Sequence, residues 1–147
     1  DARTLANASL AWGGLGEPER AVKMAEMAIR LDPFHPDWYL AALGTTYYIA
    51  KDYERAIATL EVAPDGLCDT RLFLAAAYAQ SGNQTAARPH VSEFIRHSCE
   101  HKGGDPKTDT LQYVQEMIDG CVFLRAEDSD HFLEGLQLAG VSLGEEQ

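Results

Sequence analysis

Small and aromatic residues recur along the first hundred positions with a helical, not an alternating, rhythm. The first segment runs Leu5, Ser9, Trp12, Gly16, Ala21, Ala25, Ala28, Leu31 and Pro33. The second runs Leu40, Gly44, Tyr47, Tyr53, Ala56, Leu60 and Ala63, and the third Leu74, Ala75, Tyr78, Gly82, Ala87, Val91 and Phe94. In each, an alanine follows an aromatic after nine residues: Trp12 to Ala21, Tyr47 to Ala56, Tyr78 to Ala87. The pattern predicts a helix, a tight turn and a second helix running back, with the aromatic packed over the alanine. Only a small side chain leaves room for that close crossing. Gly16 and Gly82 fall at the turns, where a helix end often takes positive φ. The second segment has Lys51-Asp52 there instead, which predicts an ordinary turn.

Prolines punctuate the pattern. Leu31-Asp32-Pro33 closes the first unit, because a proline disfavours helix in the residue before it. Pro36-Asp37 opens the next helix, with Trp38 and Tyr39 in its first turn. Pro64-Asp65-Gly66 is expected to stop the fourth helix early. Pro89 falls inside the sixth, where it removes a backbone bond and is expected to kink or delay the helix and distort the third unit. The run Lys102-Gly103-Gly104-Asp105-Pro106-Lys107 reads as a loop. A helix over residues 110–118 follows, with Leu111, Val114 and Ile118 at helical spacing. A last helix spans residues 129–139, with Phe132, Leu133, Leu136 and Ala139 on one face. Asp128, Ser129 or Asp130 is placed to cap its start and Gly140 its end. The expected organisation is three repeats (about 2–35, 37–66 and 68–101), a loop at 102–109, and a helical cap from 110 to 147.

Three tandem copies with constant internal spacing resemble the tetratricopeptide repeat, whose period is about 34 residues. The anchor alanines stand 35 and then 31 apart, so the second repeat is trimmed. The resemblance implies an all-α fold: a right-handed superhelix of three helix-turn-helix repeats plus two C-terminal helices. It also implies a concave groove lined by the first helix of each repeat. The groove positions are Arg3, Ala6 and Leu10; then Trp38, Ala41, Thr45 and Tyr48; then Asp69, Leu72, Ala76 and Ala79. They lack the Lys, Arg and Asn set with which some family members clamp a peptide carboxylate. Trp38, Ala41, Thr45, Tyr48, Leu72 and Ala76 are the expected partner-binding residues, with Trp38 and Tyr48 forming one apolar patch. Its expected occupant is a protein or peptide partner, a second copy, or the chain's own last helix, whose stripe suits helix-in-groove docking.

The chain has 147 residues, 46% hydrophobic and 24% charged, which suits one globular domain with a real core. Twelve Lys+Arg against 23 Asp+Glu leave a net charge of −11. Without a basic patch, an acidic surface repels nucleic-acid phosphates and anionic lipid, so neither is an expected partner. No run of about 18 apolar residues is present to span a membrane. Cys68, Cys99 and Cys121, odd in number and widely spaced, suit a reduced cytoplasmic compartment, with Cys68 and Cys121 beside apolar stretches and expected to be buried. His97-Ser98-Cys99-Glu100-His101 offers ligand types within one helical turn, but structural zinc typically takes two spaced pairs and no second pair lies nearby. No Gly-x-Ser-x-Gly elbow or glycine-rich phosphate loop occurs. Neither catalysis nor a cofactor is expected of this chain.

A further resemblance rests on residues 28–79, with Ile29-Arg30-Leu31-Asp32-Pro33 and Pro36-Asp37-Trp38-Tyr39, and on residues 128–140, with Phe132-Leu133-Glu134-Gly135-Leu136 before Ala139-Gly140. These stretches are similar to the C-terminal repeat regions of bacterial class III adenylate and guanylate cyclases and of related regulators. That similarity implies a piece of a longer protein that serves as an interaction or regulatory scaffold. The alternative it leaves open is a homodimerisation unit pairing an attached enzyme domain.

Overall fold

The computed structural model describes residues 1–63, 69–120 and 123–142. These form eight helices and no strand: α1 (Ala2–Gly14), α2 (Pro18–Leu31), α3 (Trp38–Ile49), α4 (Tyr53–Val62), α5 (Asp69–Gln80), α6 (Gln84–Lys102), α7 (Thr110–Asp119) and α8 (Ala126–Leu138). The fold is all-α. The most extensive packing joins α1 to α2, α5 to α6 and α3 to α4, which gives three helix–turn–helix pairs. Ala21, Ala56 and Ala87 are each fully buried in their pairs, as the aromatic–alanine spacing requires.

The three turns share one hydrogen-bond register. The N–H of Glu17 donates to the carbonyl of Trp12 (3.0 Å), Asp52 to Tyr47 (2.9 Å) and Asn83 to Tyr78 (2.8 Å). Each bond reaches back five residues to the anchor aromatic, the closure that ends a helix on a left-handed residue. That residue is Gly16 (φ 83°), Lys51 (φ 59°) and Gly82 (φ 93°). The second turn is therefore not an ordinary one. Lys51 takes the conformation glycine takes in the other two, because the same backbone register leaves no alternative. A left-handed non-glycine residue costs about 1–2 kcal/mol, and glycine's greater freedom when unfolded offsets part of this. Lys51→Gly is expected to raise stability by about 0.5–1 kcal/mol, read as an upward shift of a few degrees in a thermal melt.

Capping completes the turns. The Asp52 side chain accepts from the N–H of Arg55 (3.2 Å) and the Asn83 side chain from that of Ala86 (3.1 Å), while α2 starts with Pro18 in place of a side-chain cap. Pro89 does not delay α6, which runs unbroken from Gln84 to Lys102. The proline forgoes only the bond to the carbonyl of Thr85, and the helix is already nucleated and capped before it. α4 ends at Val62, ahead of Pro64; the Pro64-Asp65-Gly66 stop, Cys68, Cys121 and the acidic residues 144–147 lie outside the described residues.

In α7 the buried face is Tyr113, Val114 and Met117, with Leu111 exposed and Ile118 at the margin. The helix is thus turned from the expected Leu111–Val114–Ile118 stripe, so that the Tyr113 ring packs into the core with its hydroxyl beside Cys99. α8 starts at Ala126, three residues before the predicted position, with Arg125 at its cap and no side-chain cap bond. Its C-terminus follows the expectation: Gly140 has φ 103°, and Val141 N–H donates to the carbonyl of Leu136 at 3.0 Å, the closure used in the three turns.

Candidate functional site: the surface under the last helix

α8 packs on α5 as extensively as α2 packs on α3, and its apolar face closes over the core. Phe132, Leu136 and Ala139 are buried to within 1% of completely. Phe132 enters an aromatic nest: its ring centroid lies 4.6 Å from that of Phe73, 5.5 Å from Phe123 and 5.7 Å from Tyr48. These tilted, edge-on and offset geometries are the ones aromatic quadrupoles favour.

Gly135 brings the two helices together. A Cβ there would stand 2.7 Å from Gln80 Cδ and 2.9 Å from Ala76 Cβ, so the close approach of α8 to α5 depends on the missing side chain. Leu133, expected on the buried stripe, is only half-buried; Gly135 takes that place on the face.

A polar clasp flanks the apolar contact. His131 Nε2 lies 2.6 Å from the Tyr53 hydroxyl, and Gln80 Nε2 donates to the His131 carbonyl at 2.7 Å. The same Gln80 nitrogen lies 3.4 Å from His131 Nδ1, and Gln80 Oε1 accepts from the Tyr48 hydroxyl at 2.7 Å. Burial, with Lys51 in second place, holds the His131 imidazole below its ordinary pKa, against the opposing pull of Glu134 and Asp128. Burial also pushes the Tyr53 hydroxyl up, with Glu134 adding to it.

The segment before α8 reaches the first helical pair. Leu124 N–H donates to the carbonyl of Gly14 at 3.1 Å, and the Arg125 guanidinium stands against Gly16, its Nη1 3.5 Å from the Gly16 carbonyl. Residues 124–136 thus touch all three pairs in order: the α1–α2 turn, then Tyr48 and Tyr53 of α3 and α4, then α5.

The sequence-predicted groove residues divide. Tyr48, Leu72 and Ala76 belong to the main core, and Tyr48 and Ala76 lie directly under α8. Trp38 does not join them. It is half-buried, edge-on to Tyr39 at 4.5 Å, and packs in a separate cluster with Ala6, Ala28 and Tyr39. The expected single Trp38–Tyr48 patch is therefore corrected to two sites. Ten helical residues rise about 15 Å, enough to place the two side chains beside different neighbours. Ala41 and Thr45, between them, are buried at 7% and 8% exposure. Asp69's side chain lies outside the described residues.

Tyr53, Phe73, Gln80, Phe123 and His131 were not among the expected site residues. Tyr53 has a place in the repeat pattern, but nothing in the spacing marks it as the partner of a histidine 78 positions on.

Among the described residues, no group of three His, Cys, Asp or Glu is arranged to hold a metal, and no helix is long and apolar enough to cross a membrane. The His97 and His101 rings lie together at 4.1 Å, with His101 Nδ1 3.0 Å from the His97 carbonyl. No protein-family model matches the chain, and no characterised protein matches it in a sequence search.

Proposed function

We propose that this chain is a tetratricopeptide-type interaction module whose receptor surface is covered from within by its own last helix. The observation that supports this is the seating of α8: Phe132 in an aromatic nest, Gly135 against α5, and His131 clasped by side chains of α4 and α5. A surface shaped to take one amphipathic helix by its apolar stripe is a receptor for helices of that chemistry. Covering it in cis keeps the apolar surface from water until a competing helix arrives. The similarity to cyclase C-terminal regions extends the proposal: the module regulates, or pairs, an enzyme domain joined to it.

The test uses a fluorescent peptide spanning residues 126–141. Wild-type chain has the site filled at the high effective concentration of an attached segment and should bind the peptide poorly. The double variant Phe132→Ala/Leu136→Ala, whose own α8 no longer competes, should bind at least about tenfold more tightly by anisotropy. Equal, weak binding by both would sink the receptor reading. A light-scattering mass of one chain fits docking in cis; a mass of two chains moves the reading to α8 exchange between copies, the homodimer alternative.

A further inference from the structure

We infer that His131 is a proton-operated latch on α8, releasing the last helix as pH falls below neutrality. The inference rests on the receptor reading above and adds its regulation.

The argument begins with Gln80. Its amide cannot turn over, because Oε1 accepts from the Tyr48 hydroxyl (2.7 Å) while Nε2 donates to the His131 carbonyl (2.7 Å). Reversal would place Oε1 against the His131 carbonyl, acceptor against acceptor. The amide nitrogen is thereby fixed 3.4 Å from His131 Nδ1. A neutral imidazole with its lone pair on Nδ1 accepts there, and its Nε2–H meets the Tyr53 hydroxyl at 2.6 Å. A protonated ring carries hydrogen on both nitrogens. Nε2 keeps its partner, because a hydroxyl oxygen accepts, but Nδ1–H then faces the Gln80 N–H₂, donor against donor.

The surrounding charges come from two places. Lys51, in the α3–α4 turn, opposes protonation; Glu134 and Asp128, on α8 itself, favour it. Tyr53 from α4, Tyr48 from α3 and Gln80 from α5 contribute no charge at neutral pH. Burial adds to the Lys51 effect, and the balance leaves the docked ring below its ordinary value of 6.5. The sign follows. A group whose pKa is depressed on docking favours the docked state above its free value and withdraws that support as pH falls through the docked one. At pH 5.5 a free imidazole is protonated by about ten to one, so docking weakens by up to about tenfold relative to pH 7.5.

The experiment measures binding of the labelled 126–141 peptide, itself carrying His131→Gln so that it does not titrate, to full-length chains at pH 7.5 and 5.5. Wild-type chain should bind several-fold, up to about tenfold, more tightly at pH 5.5. A His131→Gln chain should show the same affinity at both values. The Phe132→Ala/Leu136→Ala chain should bind at both; if circular dichroism shows it unfolded, Gly135→Val, which displaces α8 sterically, takes its place. Should the undocked variant bind while wild type shows no pH dependence, or His131→Gln keep that dependence, the latch is overturned and the receptor reading stands. Should the undocked variant bind at neither pH, the receptor reading itself falls.

Discussion

Phe132→Ala is expected to weaken the docking of α8 by about 3–5 kcal/mol, the usual cost of truncating a buried phenylalanine. The site has little capacity to relax. Phe132 is fully buried, three aromatic rings surround it, and Gly135 one turn further on already holds the helices in close contact. Tyr48 and Phe73 are fixed on α3 and α5 by the repeats and cannot follow a shrinking side chain without disturbing their own pairs. The void therefore persists, and the rings lining it lose dispersion contacts. The measurement is amide hydrogen exchange resolved along the chain. Protection across Ala126–Leu138 should fall by roughly two to four orders of magnitude, while protection in α1 to α6 is largely kept. A uniform fall throughout would mean that α8 unfolds only together with the repeats. It would then be a structural element, and not a separately docked occupant.

Ala56→Leu should cost about 1–3 kcal/mol by overpacking the crossing of α3 and α4. Ala56 has no exposed surface, and Leu60, one turn on, is 2% exposed. Where the two helices cross, a Cβ on Gly44 would already stand 2.5 Å from Leu60 Cδ2, so the interface has no space to give. On the outer side the Tyr47 hydroxyl donates to Glu26 Oε1 at 2.8 Å, which ties α3 to α2 and prevents α3 from backing away. Leucine at position 56 must therefore separate α3 from α4. A thermal melt should fall by several degrees. An unchanged melt would show that the aromatic–alanine crossing is not what sets the spacing of this pair.

Helix number and type were legible in the sequence because they depend on local chemistry. The nine-residue interval from aromatic to alanine located the three fully buried alanines, and the glycines at 16, 82 and 140 marked turns that require positive φ. The sequence also marked Phe132, Leu136 and Ala139 as one apolar stripe, since helical periodicity alone defines a face.

Other features were decided by the packed chain. Lys51 adopts a glycine-like conformation because the turn's hydrogen-bond register, common to all three pairs, outweighs one residue's preference. Trp38 and Tyr48 share a helix but not a neighbourhood, since position along the axis matters as much as face. The clasp of Tyr53, Gln80 and His131 joins residues up to 78 positions apart, and no periodicity carries such a pairing. A stripe on a helix states that it must be covered; which surface covers it depends on the path of the chain between them. Here that path runs through Leu124 at the α1–α2 turn before α8 settles on α5.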